Sequence, residues 1–239
     1  MLIPTDSPIL CYVTGRKDLG LEPNSIAQLL AMIRRAIEAG IDWIQIREKD
    51  LSGRELIHLV RESVAAASGT RTRIIVNDRL DVAIAAHASG VHLGEDSLPV
   101  RDVAAWRESH ATEGVNFFVG ASCHSLEQAK SAERDGADHV IFGPVFETPS
   151  KVNFGPPQGI GRLHEICGEI KIPVLAIGGV NASNAFECLR AGAAGIAAIR
   201  MFQETHSLPQ NPEAPASGIR SDEQELRRVV EQLRSPKRN

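Results

Sequence analysis

A short polar loop carries the most suggestive group of side chains in this sequence. Thr148, Ser150 and Lys151 lie within four residues, after the apolar run 140–142 and a Gly-Pro turn. Two hydroxyl donors beside one ammonium suit a phosphate, whose oxygens carry charge and accept several hydrogen bonds. Without partners from other parts of the chain, the same residues would form an ordinary solvated loop.

A second group could supply further cations. Gln45, Arg47 and Lys49 alternate in the sequence, so in an extended segment their side chains point the same way. An Arg and a Lys on one side of a strand end could bind a diphosphate, and Lys151 could approach from another loop. The alternative is a turn of alternating charge, at 47–50, that pairs with itself.

Acidic residues indicate a metal site. Asn77 and Asp78 follow one apolar run, and Glu95 and Asp96 follow the next. Mg²⁺ usually takes one or two carboxylates, keeps water ligands and binds substrate phosphates. Asp78 also precedes a predicted helix, and a role as its N-cap explains the residue equally well.

Two glycines could bring backbone N–H groups to a second phosphate. Gly178 and Gly179 follow an apolar run and precede Asn181, where a helix is predicted to begin. A tight turn that needs positive φ is the alternative, and it is compatible with phosphate binding.

We interpret His92 and His124 as core or mouth-lining residues, because nothing arranges an acid and a nucleophile around either of them.

The elements that must position these side chains follow from the apolar pattern. We predict strands at 9–13, 43–47, 73–76, 90–93, 117–120, 139–142, 173–177 and 195–199. We predict helices at 26–37, 79–88, 100–109, 126–134 and 160–170. Three more are predicted: one capped by Ser52, one opened by Asn181 or Ser183 and ending at Arg190, and a last one around 226–233.

Alternating strands and helices in this number are typical of a single (β/α)₈ TIM barrel. The strands are continuous apolar runs, as a parallel sheet covered by helices requires. An open doubly wound sheet is the alternative, but no G-x-G-x-x-G follows the first strand. We therefore predict one barrel domain over 1–239, with a Pro-rich loop at about 204–220 before the last helix. The polar groups above would meet at the mouth formed by the carboxyl ends of its strands.

Composition excludes several classes of function. A formal charge of −4 argues against general nucleic-acid binding, and no apolar run could span a bilayer. The first eight residues lack the pattern of a signal peptide, and the four cysteines are scattered, which predicts reduced thiols in a cytoplasmic protein. The residues alone thus favour a transferase with a diphosphate leaving group, while a phosphate-binding isomerase stays open.

Seven segments, read together, resemble the thiamine-phosphate synthase family from about Tyr12 to Ile199. They are 45–49 (QIREK), 76–79 (VNDR), 90–94 (GVHLG), 120–125 (GASCHS), 143–146 (GPVF), 148–151 (TPSK) and 176–180 (AIGGV). The resemblance implies a cytoplasmic, Mg²⁺-dependent barrel enzyme that joins hydroxymethylpyrimidine diphosphate to thiazole phosphate, giving thiamine phosphate and diphosphate. In this family the diphosphate is thought to leave first, and the thiazole nitrogen captures the resulting carbocation.

The resemblance also implies site residues. The pyrimidine diphosphate would be held by Gln45, Ile46, Arg47, Glu48, Lys49, Asn77, Ser122 and Lys151. The thiazole phosphate would be held by Thr148, Pro149, Ser150, Gly179, Ile199 and Arg200. Catalysis would fall to Lys151, Ser122, Arg47 and Lys49, and Mg²⁺ to Asp78 and Asp96.

Two positions depart from the family pattern. Ser97 stands where the family usually has the second acidic Mg²⁺ ligand, so Asp96 or Glu95 could take that role, or Asp78 could act with substrate alone. Arg200 stands where the family usually has a Ser on the thiazole phosphate. Arg could bind that phosphate by a bidentate contact or crowd it.

The departures leave two alternatives. A sister group of thiazole tautomerases shares the barrel and uses the His of its Ser-x-His-Ser segment, here His124, in proton transfer. A non-catalytic thiamine-phosphate-binding protein would need only the phosphate site. The chain keeps Gln45, Arg47, Lys49, Asn77 and Asp78, which an isomerase of thiazole phosphate would not need. The expected partners are small molecules, with no nucleic acid and no membrane, and the oligomeric state, including a homo-oligomer, stays open.

Overall fold

The computed structural model describes residues 7–16, 25–110, 116–148, 156–203 and 217–235, with side chains in the last helix from residue 224 onward. Eight parallel strands follow one another in chain order and close into a barrel, with β1 beside β8. The predicted (β/α)₈ barrel is confirmed. The strands are β1 Ile9–Val13, β2 Trp43–Ile46, β3 Arg73–Asn77, β4 Gly90–Leu93, β5 Phe118–Cys123, β6 His139–Phe142, β7 Val174–Ala176 and β8 Gly195–Ala198.

Helices follow the strands and cover the outside of the barrel. The described helices are α1 Ile26–Glu38, α2 Gly53–Ala67, α3 Leu80–Ala85, α4 Val100–Ser109, α5 Leu126–Arg134, α6 Gly159–Glu169, α7 Ala185–Arg190, α8 Arg200–Gln203 and α9 Ser217–Arg234. None of them is long and apolar enough to cross a membrane.

Several predicted helix ends need correction. The helix after β3 is shorter than predicted, because Arg79 is not helical and His87 has φ of +54°. Helix α7 begins at Ala185, because the Asn181 side chain accepts backbone N–H groups of Ser183 and Asn184 in a turn ahead of it. A short helix, α8, was not predicted.

The last helix also differs from its prediction. Helix α9 begins at Ser217, so the range 217–220, assigned to the Pro-rich loop, is helical. The chain contains no proline between 217 and 235 that would interrupt a helix. The remaining part of the predicted loop, 204–216, lies outside the described residues.

Alternation along the strands divides the apolar side chains between two cores. One set points outward and packs against the helices, as Ile44 and Val76 do. The other set fills the barrel interior and includes Trp43, Ile75 and Leu175. Because successive side chains point to opposite faces of a strand, the inward positions can be followed along each strand toward its carboxyl end.

Two half-buried carboxylates stabilise the end of the barrel that lies opposite the carboxyl ends of the strands. Asp42, just before β2, accepts the Leu10 N–H at 2.9 Å and the Arg234 guanidinium of α9 at 3.0 Å. Asp138, just before β6, accepts the Val119 N–H at 2.7 Å and pairs with Arg107. Each carboxylate therefore ties a strand to a helix on the face that supports the fold.

Candidate active site at the barrel mouth

Half of the barrel interior becomes polar toward the mouth. On four neighbouring strands, an inward apolar or small residue is followed two positions later by a polar one. The pairs are Trp43 and Gln45 on β2, Ile75 and Asn77 on β3, Gly90 and His92 on β4, and Gly120 and Ser122 on β5. Across the barrel the corresponding positions stay apolar, with Val13, Ile177 and Ile199 packed against the interior core. The mouth thus has a polar half and an apolar half.

A chain of hydrogen bonds runs through the polar half. Gln45 Nε2 donates to Asn77 Oδ1 at 2.8 Å, and Asn77 Nδ2 donates to Asp78 Oδ2 at 2.6 Å. Lys49 Nζ lies 3.7 Å from the same Asp78 oxygen, on a side chain that is 64% exposed. Gln45, through Asn77, and Lys49 are therefore both connected to Asp78.

Asp78 faces the mouth rather than the helix after it. Its backbone has φ of +63°, and its Oδ1 accepts the Ser97 hydroxyl and, at 3.3 Å, the Gly94 N–H. The residue that precedes α3 is Arg79, and no side chain caps that helix. The alternative in which Asp78 serves as an N-cap is wrong.

A largely buried ion-pair network supports the segment at the end of β2 that carries Arg47 and Lys49. Glu48 is 5% exposed and accepts the Arg16 N–H at 3.2 Å, while the guanidinium of Arg16 lies 2.6 Å from Asp50. Burial raises the pKa of Glu48, and hydrogen bonds from Thr14 and Arg16 oppose that rise. Thr14 Oγ1 also accepts the Arg47 N–H at 2.9 Å.

This network changes the interpretation of the segment 45–49. The ion pairs that the described residues show for Glu48 and Asp50 are with Arg16, so the turn does not simply pair with itself. The Glu48 side chain is buried and supports the end of β2, and the Ile46 side chain packs between the sheet and the helices. Any contact of Glu48 or Ile46 with a ligand at the mouth would come from the backbone.

A pair of buried histidines lies below the polar half. His92 Nε2 lies 2.9 Å from Ser122 Oγ, and the ring of His139 lies 5.8 Å from that of His92 and 4.5 Å from that of Trp43. Burial lowers the pKa of His92 to about 4, so its ring is neutral near pH 7. The hydrogen bond between His92 and Ser122 was not predicted, although His92 was interpreted as a core or mouth-lining residue and Ser122 as a site residue.

The loops after β6 and β7 are held together by backbone hydrogen bonds. The Val145 N–H donates to the Ile177 carbonyl and the Phe146 N–H to the Gly178 carbonyl, both at 2.9 Å. Gly178 and Gly179 have φ of +93° and +66°, which confirms the predicted turn. A Cβ on Gly179 would lie 2.4 Å from the Glu147 carbonyl oxygen, so only glycine fits there.

Three of the predicted phosphate-binding residues cannot be placed. Thr148 is half-buried at the end of this loop, but Pro149, Ser150 and Lys151 lie outside the described residues. Directly after β8, Ile199 and Arg200 are both half-buried, and Arg200 begins α8. Their assignment to a thiazole phosphate stays a prediction.

Comparison with known proteins gives this site a context. The sequence profile of a family described as thiamine monophosphate synthase matches residues 10–202. The chain belongs to this family. It is 44% identical over 171 residues to a putative thiamine-phosphate synthase of Geobacter sulfurreducens, which covers 72% of this chain and 78% of that one. A thiamine-phosphate synthase of Methanocella arvoryzae is 42% identical over 168 residues, covering 70% of this chain and 76% of the relative.

A solved structure supports the same relationship. The thiamine phosphate pyrophosphorylase of Pyrococcus furiosus is 33% identical, with a TM-score of 0.70. The alignment covers 95% of this chain and 98% of that one. The family resemblance carried by the seven segments is therefore confirmed.

The resemblance led us to expect an acid at position 97, and the structure shows what Ser97 does there. Its hydroxyl donates to Asp78 and accepts the Gly94 N–H at 2.7 Å, so it closes the loop after β4 onto the carboxylate. Asp96 is exposed, and the described residues contain no group of three or more His, Cys, Asp or Glu that could hold a metal. One carboxylate beside a hydroxyl still fits Mg²⁺ that takes most of its ligands from water and phosphate.

Proposed function

We propose that this protein joins hydroxymethylpyrimidine diphosphate to thiazole phosphate and releases thiamine phosphate and diphosphate. The observation that carries the proposal is the two-sided mouth, in which cations, amides and one carboxylate face an apolar wall. An anionic leaving group fits the polar half, and flat aromatic rings fit the apolar half. Membership of the thiamine monophosphate synthase family supports the same reaction.

The polar half would bind the diphosphate. Arg47 and Lys49 lie exposed at the end of β2, where they could contact its oxygens, and Asn77 and Ser122 could hold its position. Lys151 would complete this set from the loop after β6. Mg²⁺, held by Asp78 with Asp96 as a candidate second ligand, would offset charge on the leaving diphosphate.

The chemistry would be dissociative. The bond between the pyrimidine methylene carbon and the diphosphate oxygen breaks, and the diphosphate leaves with the electron pair. The lone pair of the thiazole nitrogen then forms the new carbon–nitrogen bond to the pyrimidine-stabilised carbocation. Fixed positive charge at the leaving group would lower the barrier, because it stabilises charge that develops in the transition state.

The state of the cysteines supports a route without a covalent enzyme intermediate. Burial raises the pKa of Cys123, at the end of β5, to about 12, and that of Cys11 to about 12. Burial also raises the pKa of the other two thiols, Cys167 to about 11 and Cys188 to about 12. A thiol must ionise to act as a nucleophile, so none of the four is activated near pH 7.

The test is an assay of the purified protein with both substrates and Mg²⁺. We expect diphosphate and thiamine phosphate in equal amounts, with neither product when one substrate is omitted. Interconversion of thiazole carboxylate phosphate tautomers without diphosphate release would identify a tautomerase instead. Binding of thiamine phosphate without any turnover would identify a binding protein.

A further inference from the structure

His92 is a buried histidine with one partnered and one unpartnered nitrogen. Its side chain is 2% exposed, Nε2 contacts Ser122 Oγ at 2.9 Å, and Nδ1 has no hydrogen-bond partner among the described residues. The ring is held between the His139 ring and the backbone at Gly120, where a Cβ would lie 2.7 Å from Nδ1. Little freedom is left for the ring to turn.

The missing partner of Nδ1 decides where the proton of the neutral ring lies. A neutral imidazole has one N–H donor and one lone-pair acceptor. A buried N–H without an acceptor is rarer and more costly than a buried acceptor without a donor. The favoured tautomer therefore leaves the lone pair on Nδ1 and places the hydrogen on Nε2, which points at Ser122 Oγ.

This tautomer fixes what the hydroxyl can do. Ser122 Oγ accepts from His92, so its own hydrogen is free to be donated in another direction. Ser122 lies at the carboxyl end of β5 and is half-buried at the polar side of the mouth. A hydroxyl that accepts one hydrogen bond also becomes a stronger donor in a second.

We infer that His92 is a positioning residue, which donates Nε2–H to Ser122 and thereby commits the Ser122 hydroxyl to donate to an anionic oxygen at the mouth. The inference rests on the proposed function for the identity of that anion, a diphosphate oxygen. In the other tautomer Ser122 would donate to His92 and could only accept from a ligand. That arrangement would present a lone pair to an anion and would weaken its binding.

The tautomer can be measured without any assumption about function. In the ¹⁵N-labelled full-length protein at pH 7, long-range ¹H–¹⁵N correlations should show a protonated Nε2 and an unprotonated Nδ1 for His92. The assignment comes from the spectrum of the His92→Gln variant, in which these signals disappear. A protonated Nδ1 overturns the inference.

The role is tested by a double-mutant cycle of His92→Phe and Ser122→Ala, measured as kcat and as the Kd of inorganic diphosphate with Mg²⁺. His92→Phe should lower kcat and weaken diphosphate binding about tenfold when Ser122 is present, as for loss of a hydrogen bond to a charged group. In the Ser122→Ala background the same change should have less than about a twofold effect, because the residue it positions is gone. His92→Gln, which can place an amide N–H near Ser122, should restore most of the loss.

A matched control uses the other buried histidine. His139 is 1% exposed but has no described hydrogen bond to a mouth residue, so the effects of His139→Phe and Ser122→Ala should be additive. Equal effects of His92→Phe in both backgrounds overturn the inference. If neither the wild type nor any variant forms product, the proposed reaction is wrong. The Kd of diphosphate and the tautomer of His92 would then still test the role of His92. Should His92→Phe not fold, the cycle is completed with His92→Leu, which likewise has no N–H to donate to Ser122 Oγ.

Discussion

The close contact at Gly179 makes a quantitative prediction. In Gly179→Ala the residue would keep φ of +66°, which costs an L-residue roughly 1–2 kcal/mol. Its new Cβ would also lie 2.4 Å from the Glu147 carbonyl oxygen and 2.7 Å from Phe146 Cβ. Overpacking of this kind costs roughly 1–3 kcal/mol, so the free energy of unfolding should fall by about 2–5 kcal/mol in total.

A second glycine separates strain from steric conflict. Gly69 has φ of +75°, but a Cβ at this position would have no atom within 4 Å, so Gly69→Ala should cost only the roughly 1–2 kcal/mol of strain. Both substitutions restrict the unfolded chain equally, and that term cancels in the difference. Gly179→Ala should therefore be less stable than Gly69→Ala by about 1–3 kcal/mol.

Urea unfolding at pH 7, followed by far-UV circular dichroism, measures both variants. Equal urea midpoints for Gly179→Ala and Gly69→Ala would refute the described approach of the loops after β6 and β7. Steady-state kinetics add a second check, because Gly179 is predicted to hold the thiazole phosphate. The KM for the thiazole substrate should rise in Gly179→Ala, whereas the KM for the pyrimidine diphosphate should stay near that of Gly69→Ala.

Three further predictions concern the metal, the leaving group and pH. Asp78→Asn should sharply raise the Mg²⁺ concentration needed for half-maximal activity. The same titration of Asp96→Asn shows whether the exposed Asp96 also contributes to Mg²⁺ binding. An unchanged Mg²⁺ titration in Asp78→Asn would contradict the role of Asp78 as a metal ligand. Lys151→Ala should lower kcat by about 10²–10³, measured under saturating substrates, and a change below about threefold would exclude it from leaving-group stabilisation. The pKa of buried His92 falls from 6.5 to about 4, so His92 alone should cost roughly 3 kcal/mol of stability as the pH falls from 6.5 to 4, since the unfolded state binds the proton first. Burial also lowers the pKa of His139, so His92→Phe should reduce the slope of the profile in urea unfolding without abolishing it, and an equal slope in both proteins would show that His92 does not contribute.

The barrel could be predicted because its strands carry an unambiguous pattern. Runs such as Val140, Ile141 and Phe142 are apolar at every position, and a strand buried on both faces requires this. The glycine turn after β7 was also readable, since two adjacent glycines suit positive φ. Helix ends were less accurate, because Asn181 and Asn184 satisfy the backbone ahead of α7 with side chains that the sequence cannot orient.

The polar network at the mouth could be located but not resolved from sequence. Gln45, Asn77 and Ser122 were each predicted at a strand end, yet which neighbour each one contacts depends on barrel register. Asp78 shows the consequence, because the residue types allowed an N-cap and a metal ligand equally, and only its bonds to Ser97 and Gly94 exclude the N-cap; the role as a metal ligand stays a prediction.

Ser97, where the resemblance led us to expect an acid, has a consequence for the metal site. An acid at that position would place a second carboxylate directly against Asp78, where like charges repel unless a cation lies between them. With a serine, the hydroxyl donates to Asp78 and the site is satisfied by neutral groups and Lys49. The site should therefore depend less on a resident metal for its own stability and more on the substrate diphosphate to complete the metal's ligands. Ser97→Asp tests this reasoning: it should tighten Mg²⁺ binding in the absence of substrate, and it should lower the stability of the metal-free protein.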